Sequence, residues 1–205
     1  MDRKPHKFDP ARAEQLERPE RQEFLLNEQV LDLLELSGRE TVIDYGAGSG
    51  VLTIPLAQRL RGGVVHAVEE STQMMQHLRK RIEGTDLRNV RLHLIQDNQV
   101  PLESAVADRI LAVNLLHETV GETVLEEMRR LLAPEGFVLV VDWRADVERE
   151  FGPPREVAMT PQKGWQTLKT AGFSASSVEV NFPYHFVMIA RAATDQASTR
   201  GRASI

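Results

Sequence analysis

The sequence predicts a single α/β domain built on a mostly parallel sheet with helices on both faces. Two observations predict it. Short runs rich in valine and isoleucine alternate with segments of helical length, and strands separated by helices pair in parallel. One of these runs, Phe137–Val141, is almost entirely apolar, as expected for a strand buried on both faces. The length of 205 residues suits one such domain.

Composition narrows the possible partners. The 41% hydrophobic and 27% charged content is ordinary for a soluble globular chain, so a fibrous or wholly disordered protein is excluded. The net charge of −5 argues against broad binding to nucleic acid or to an anionic membrane. Without cysteine there is no disulfide, thiolate metal site or cysteine nucleophile. No apolar run approaches the ~18 residues of a membrane span, so we expect a cytoplasmic protein.

The two ends of the chain differ in composition from its middle. Residues 1–21 are charged and contain three prolines, so we expect an N-terminal arm or lid with a short helix at Ala11–Leu16. Residues 22–192 carry the alternating pattern and form the expected domain. Residues 193–205 are polar and small, which predicts a disordered tail.

The spacing of apolar residues predicts the helices and strands in the first half of the domain. A helical stripe predicts a helix over Gln22–Leu36, which Ser37–Gly38 ends. The next predicted elements are, in order, strand Thr41–Tyr45, helix Val51–Arg61, strand Val64–Val68, helix Thr72–Arg81 and strand Val90–Ile95.

The second half continues the alternation and then departs from it. A fourth strand, an amphipathic helix and a fifth strand are predicted at Arg109–Leu115, Val120–Leu132 and Phe137–Val141. After Asp142 the order changes. A helix at Pro161–Ala171 precedes two strands, Val178–Val180 and Tyr184–Ala190, with a turn at Asn181–Pro183. This pattern predicts a hairpin added to the parallel sheet.

The first strand runs into a glycine loop. Gly46, Gly48 and Gly50 lie between this strand and the next helix, where glycine permits positive φ and a close approach of a ligand. Such a loop at the carboxyl end of the first strand favours a nucleotide-type cofactor. The dinucleotide spacing G-x-G-x-x-G is not met, because the third glycine comes one position early. A P-loop is excluded because no Gly-Lys-Ser/Thr follows.

Polar residues also follow the later strands. Glu69 ends the second strand, where a carboxylate can accept hydrogen bonds from ribose hydroxyls. Asp97 follows the third strand, and the fourth ends in the run Asn114-Leu115-Leu116-His117-Glu118. The turn Leu131–Gly136, which reads Leu-Leu-Ala-Pro-Glu-Gly, leads into the fifth strand.

Together these residues resemble the class I S-adenosylmethionine-dependent methyltransferases, over about residues 22–192. The nearest subset is the small-molecule group, methyltransferase type 11 or UbiE-like, which has Leu-His-Glu or Leu-His-His after strand four. The resemblance implies a Rossmann-like sheet of seven strands, mostly parallel with the last strand antiparallel. The antiparallel strand agrees with the hairpin predicted from the sequence itself.

The resemblance also implies S-adenosyl-L-methionine as cofactor and suggests where it binds. It assigns the methionine end to Asp44, Gly46, Ala47 and Gly48, the ribose to Glu69, the adenine to Asp97 and Asn98, and the surroundings of the sulfonium to Asn114 and Leu115. One position departs from the family, where an apolar residue usually follows the ribose-binding acid. Here it is Glu70, which either packs its stem on the adenine or shares the ribose with Glu69.

Methyl transfer depends mainly on positioning, and a base is needed only if the acceptor must lose a proton. His117 and Glu118 are the base candidates because they lie beyond strand four. The alternative is that His117 only packs against the helix, and that Glu118 only places a favourable negative charge at the first turn of the following helix. Trp143, beside Asp142, forms either a wall for the acceptor or core.

Two residues of the last predicted strand are further candidates for the same region. Tyr184 and His185 begin the last strand and are candidates for the border of the acceptor pocket. The run Asn181–Tyr184 looks like the Asn-Pro-Pro-Tyr motif of nucleic-acid amino methyltransferases, but it lies in the hairpin and not after strand four. His66 and His93 lack ligand spacing, so no metal site is expected.

The leading hypothesis is therefore a methyltransferase that moves a methyl group to a small-molecule acceptor by in-line displacement, without a nucleic-acid or membrane partner. Arsenic-methylating relatives are excluded, because they hold their acceptor with thiolates. The alternatives are an NAD-dependent oxidoreductase on a related fold and a non-catalytic S-adenosylmethionine-binding protein. The acceptor and the oligomeric state stay open.

Overall fold

A computed structural model describes residues 7–97, 99–119 and 123–193 of the chain. Seven strands form one sheet in the order β3-β2-β1-β4-β5-β7-β6. The strands are β1 (Thr41–Tyr45), β2 (Val64–Glu69), β3 (Val90–Leu94), β4 (Ala107–Val113), β5 (Leu132–Trp143), β6 (Phe173–Ser177) and β7 (His185–Ala192).

The pairing of the strands confirms the predicted fold class. Strands β1 to β5 pair in parallel, whereas β7 runs antiparallel to both of its neighbours, β5 and β6. The order reverses beside β1, since the chain moves outward to β3 and then returns to β4 on the other side. Ligands of open α/β sheets bind at such a reversal, beyond the carboxyl ends of the strands.

Helices connect the strands on both faces. They are α1 (Arg21–Phe24), α2 (Asn27–Asp32), α3 (Thr53–Arg59), α4 (Thr72–Glu83), α5 (Thr123–Leu131) and α6 (Pro161–Thr170), with 3-10 helices at Pro10–Glu17 and Leu116–Glu118. Two hydrophobic cores cover the sheet, one on each face. Neighbouring residues alternate between them, as Ile43 joins one core and Val42 the other.

The predicted helix over Gln22–Leu36 is wrong as one element, because the chain forms α1 and α2 separately. Leu25 ends α1 with φ −145° and ψ 82°, and its side chain is fully buried. The side chain of Gln22 then accepts a hydrogen bond from the Asn27 backbone N–H at 2.9 Å. Burial of Leu25 thus outweighs the continuation of the helix.

The predicted strand Val178–Val180 is also wrong. The strand that pairs with β7 is β6, which begins at Phe173 directly after Gly172, and residues 178–184 form the connection. The buried side chain of Phe173 packs in the core on one face of the sheet, so the strand begins there. The start of the predicted helix Val120–Leu132 and nearly all of the predicted tail 193–205 lie outside the described residues.

Gly50 shows why the third glycine of the loop comes early. Its φ is +80°, and a Cβ at this position would lie only 2.2 Å from Cδ1 of Leu78 in α4. Glycine at 50 therefore lets α4 pack directly on the loop. Within the described residues, no helix is long and apolar enough to cross a membrane.

Candidate functional site

A cavity of about 1300 Å³ lies beyond the carboxyl ends of β1, β2, β4 and β5. Its walls come from the strand ends, from the glycine loop and from residues 7–20, which we call the N-terminal segment. Single-ligand pockets usually measure ~300–1,000 Å³, so this cavity has room for more than one small molecule.

The glycine loop is held by the end of β2. The backbone N–H groups of Gly46 and Ala47 both donate to the Val68 carbonyl, at 2.9 and 3.0 Å. Gly46 has φ +79°, and a Cβ there would lie 3.1 Å from the side chain of Leu115. The loop therefore brings backbone, without side chains, up to the cavity. All three predicted loop residues, Gly46, Ala47 and Gly48, line it.

Glu69 is buried beside this loop. One carboxylate oxygen accepts the Gly48 N–H and the other accepts the Ser71 N–H, each at 2.8 Å. Burial raises the pKa of Glu69 even though these backbone hydrogen bonds lower it. Glu70 also lines the cavity, but it forms an exposed ion pair with Lys7.

Asp44 lies at the carboxyl end of β1 and is buried without a cation. Its Oδ2 accepts a hydrogen bond of 2.6 Å from the Thr53 hydroxyl, and none of the ion pairs of the described residues includes it. Burial raises the pKa of Asp44 to about 6, and the nearby charge of Glu69 adds to this. A buried acid of this kind would be stabilised by a cationic ligand group.

Asn114 has an unusual backbone and an unpaired side chain. Its φ is +56°, which is uncommon outside glycine, and its N–H donates to the Val141 carbonyl at 2.7 Å. The side-chain oxygen Oδ1 is buried without a hydrogen-bond partner. Asn114 and Leu115 both line the cavity, so this oxygen is a free acceptor beside it.

The predicted adenine residues are placed differently. Asp97 is exposed and does not line the cavity, which Ile95 borders instead. Asn98 lies outside the described residues. The role of both residues stays a prediction.

His117 and Asp142 form a buried pair between the ends of β4 and β5. Nδ1 of His117 lies 2.6 Å from Oδ1 of Asp142, and the His117 backbone N–H donates to Oδ2 at 2.9 Å. Asp142 also accepts the Trp143 N–H at 2.6 Å. Because the fully buried carboxylate can only accept, we infer that Nδ1 carries the proton and that Nε2 has the free lone pair.

This pairing changes the basicity of the imidazole. Burial lowers the pKa of His117, but the charge and hydrogen bond of Asp142 outweigh burial, so the pKa is raised above 6.5. Nε2 lies 3.8 Å from Oε1 of Glu118. Burial raises the pKa of Glu118 to about 7, and its Oε1 accepts the backbone N–H of Phe8 at 3.0 Å.

The N-terminal segment is tied to the site at several points. Its 3-10 helix, Pro10–Glu17, is longer than the helix predicted at Ala11–Leu16. Glu17 lies 2.7 Å from Nε2 of His77 and 3.5 Å from Nη1 of Arg81, both in α4. Leu16 lines the cavity over Gly48. The segment therefore covers one side of the cavity, and its role as a lid stays a prediction.

An aromatic wall lines another part of the cavity. Phe24, Trp143, Phe151 and Tyr184 line it, and the rings of Phe24 and Phe151 stack at 4.6 Å. His185 does not line the cavity; it is buried behind the wall, 4.1 Å from the Trp143 ring. The predicted border position of Tyr184 thus matches the structure, whereas His185 belongs to the packing behind it.

Sequence reasoning missed two parts of this site. The pairing of His117 with Asp142 was not foreseen, although both follow adjacent strands in a parallel sheet. Arg21 and Phe151 lie in charged or irregular stretches, whose spacing carries no signal, and Phe24 was assigned only to the apolar stripe of a helix. His66 and His93 lie 2.8 Å apart on β2 and β3, and no group of three metal-ligating residues occurs in ranges 7–97, 99–119 and 123–193.

Comparison with known proteins shows which family and which solved structure this chain resembles. Residues 42–136 match a family model described as "Methyltransferase domain". The fold superposes on a crystal structure of a SAM-dependent methyltransferase from Aquifex aeolicus with a TM-score of 0.83 and 29% identity. That match covers 90% of this chain and 98% of the other.

The curated relatives differ in what they modify. A malonyl-[acyl-carrier protein] O-methyltransferase from Halorhodospira halophila is 33% identical over 100 residues, which is 48% of this chain and 33% of the relative. A tRNA(Phe) (4-demethylwyosine(37)-C(7)) aminocarboxypropyltransferase from Methanocaldococcus jannaschii is 34% identical over 80 residues, 39% of this chain and 31% of the relative. The chain spans about a third of the length of the curated relatives it matches.

Proposed function

We propose that this chain moves a methyl group from S-adenosyl-L-methionine to a small-molecule acceptor, because residues 42–136 match a methyltransferase domain and the fold is similar to that of a SAM-dependent methyltransferase. The single observation that carries the proposal is a cavity that has acidic groups at the glycine loop and a buried His–Asp pair beyond β4. The acidic groups at the glycine loop suit the cofactor, and the His–Asp pair suits an acceptor that must lose a proton.

The groups at the glycine loop fit S-adenosylmethionine. Asp44 is a buried acid without a cation, and Asn114 has a buried acceptor without a donor. Both would bind the ammonium group of the methionine end. Glu69 already accepts two backbone N–H groups, and its remaining lone pairs suit the ribose hydroxyls.

The same groups oppose the alternative of an NAD-dependent oxidoreductase. A dinucleotide places an anionic pyrophosphate beside the glycine loop, where N–H donors and the end of a helix stabilise it. Here Asp44, Glu69 and Glu70 line that region, and the N–H groups of Gly46, Ala47 and Gly48 already donate within the protein. Negative charge and occupied donors disfavour a pyrophosphate.

Bound S-adenosylmethionine supplies an electrophilic methyl group with a good leaving group. The contribution of this chain is to position the acceptor and to take its proton where one is lost. His117 is suited to the second task, because Asp142 fixes its Nδ1–H and leaves Nε2 as the accepting atom. Glu118 lies next to Nε2 and is suited to receive or share that proton, since its pKa is about 7.

A small acceptor is favoured over a nucleic acid by the surroundings of the cavity. The N-terminal segment covers one side, and the aromatic wall closes another. The net charge of −5 does not suit a polyanion, whose binding depends on cationic surface. The similarity to a tRNA-modifying enzyme covers 39% of this chain, so experiment decides between a small-molecule and a nucleic-acid acceptor.

Calorimetric titration tests the cofactor half of the proposal. We expect S-adenosylhomocysteine to bind with micromolar affinity and NADH to bind at least a hundredfold more weakly. Glu69→Gln should weaken S-adenosylhomocysteine by about 1–3 kcal/mol, because a charged hydrogen bond to the ribose is lost. Exposed Glu83→Gln on α4 is the matched control. Tighter binding of NADH would overturn the proposal in favour of the oxidoreductase.

A turnover assay distinguishes an enzyme from a non-catalytic binding protein with the same fold. Transfer of a labelled methyl group to any member of a small-molecule extract should occur with the wild type and fall strongly in His117→Gln. A protein that binds S-adenosylhomocysteine tightly but labels no acceptor would support the non-catalytic alternative.

A further inference from the structure

Arg21 is a buried cation in the wall of the cavity. It is the first residue of α1, and only 8% of its surface is exposed although it lines the cavity. Guanidinium groups are rarely buried to this degree unless an acid pairs with them. The partners of Arg21 therefore decide what its charge does.

Arg21 has no acidic partner among the described residues. Its Nη1 donates to Oδ1 of Asn27 at 2.6 Å, and Nε and Nη2 have no hydrogen-bond partner in the same part of the chain. The acids nearest in sequence, Glu20 and Glu23, are exposed and form no ion pair with it. Burial lowers the pKa of Arg21 to about 10, so it stays charged at neutral pH.

Two other nitrogen-bearing side chains near the aromatic wall are also buried without partners for some of their nitrogens. His185 is buried with both ring nitrogens unpartnered, and burial together with the charges of Arg21 and Arg149 lowers its pKa to about 3. The guanidinium of Arg149 lies 4.9 Å over the Trp143 ring, with Nε and Nη2 buried and unpartnered. Glu20 and Glu23 also line the cavity, but both are exposed, so solvent screens their charge.

The other cations that line the cavity are placed differently. Arg12 and Arg18 are exposed to solvent, and Lys7 is paired with Glu70. Arg21 is the buried arginine among the described lining residues, and Phe24 of the aromatic wall lies in the same short helix. An uncompensated buried charge costs several kcal/mol, which an anionic ligand would offset.

We propose that Arg21 binds a carboxylate of the methyl acceptor, so that the acceptor is a small carboxylic acid whose flat, apolar body packs on Phe24, Trp143 and Tyr184. This inference rests on the proposed function, since it names the substrate class of the same cavity. A single planar guanidinium with two free donor nitrogens matches a carboxylate, whereas a phosphate dianion would need more positive charge.

Paired acids and amides test the inference directly. The protein is first saturated with S-adenosylhomocysteine and then titrated with benzoate, phenylacetate and 2-naphthoate, each beside its neutral carboxamide. We expect at least one acid to bind about tenfold or more tightly than its amide, because a charge-assisted pair in a dry wall forms only with the acid. If no acid exceeds its amide, the proposal is overturned.

Substitutions then assign the preference to Arg21. Arg21→Met keeps the length of the stem and should remove the preference for the acid, while Arg21→Lys should keep part of it. Arg18→Met removes an exposed cation from the rim of the cavity and should leave the preference within about twofold. A preference that survives Arg21→Met overturns the proposal.

The cofactor provides the control for a purely structural role. Asn27, the partner of Arg21, donates through Nδ2 to the Val51 carbonyl next to the glycine loop. If Arg21→Met weakens S-adenosylhomocysteine as much as the acids, Arg21 only supports the loop and the proposal is overturned. Failure of the wild type to bind S-adenosylhomocysteine at all would instead contradict the proposed function.

Discussion

At the scale of single residues, Asp44 links cofactor binding to pH. A carboxyl group with a pKa of about 6 must be ionised before it can pair with an ammonium group. We therefore expect the association constant of S-adenosylhomocysteine to fall about tenfold from pH 7 to pH 5. Calorimetry across this range measures the slope. Asp44→Asn should bind more weakly at pH 7 and lose most of the slope; an equal slope in both proteins would contradict the assignment.

His117 should govern the pH dependence of turnover. The imidazole must be neutral to accept a proton, and Asp142 raises its pKa above 6.5, so kcat/KM should rise with pH through that raised value. Asp142→Asn removes the charge that raises the pKa, and the rise should move to lower pH while the rate falls. His117→Gln should lower kcat about 10²-fold or more. A profile that is the same in wild type and Asp142→Asn would show that His117 is not the base.

Single residues also mark the limit of sequence reasoning. Asp44, Glu69 and Asn114 were predicted because each follows a strand, and the ends of parallel strands meet at one edge of the sheet. Arg21 was placed in the arm, because its neighbours are charged and Pro19 breaks any periodic pattern. Its burial depends on tertiary contacts, such as the hydrogen bond to Asn27 in α2, which no local pattern records.

At the scale of elements, Gly50 fixes how α4 packs on the loop. Gly50→Ala would strain a backbone with φ +80° and place a Cβ 2.2 Å from Leu78. We expect the free energy of unfolding to fall by about 2 kcal/mol, from strain and overpacking together. Gly84→Ala, at a position with φ −77°, is the control and should change it by less than about 1 kcal/mol. Urea unfolding measures both; equal effects would contradict this packing role.

The N-terminal segment is held to the rest of the protein partly through one ion-pair cluster. Glu17 holds its 3-10 helix to His77 and Arg81 of α4. Glu17→Ala should loosen the segment, so that S-adenosylhomocysteine dissociates several-fold faster and backbone amides of residues 8–20 exchange faster. Glu14→Ala changes an exposed acid on the same helix and serves as the matched control. An unchanged dissociation rate in Glu17→Ala would argue against a lid.

At the scale of the whole molecule, the sheet was predictable and the end of the chain less so. The buried strand β5 carries a continuous apolar run, and β1 and β2 carry short runs rich in valine and isoleucine, which identified them. The strand β6 was misplaced, because it reads Phe-Ser-Ala-Ser-Ser and four of its five residues are small. Its position at the edge of the sheet follows from pairing with β7, a long-range contact that composition does not encode.

Two contacts of the N-terminal segment bear on the order in which ligands bind. The segment touches Glu70 at the glycine loop through Lys7, and Glu118 beside His117 through the Phe8 backbone. Adjacent residues of the segment therefore contact both the region proposed for the cofactor and the region proposed for the acceptor. We expect the two ligands to bind in a fixed order. Product-inhibition patterns should show an ordered mechanism, in which the cofactor binds first and its demethylated product leaves last.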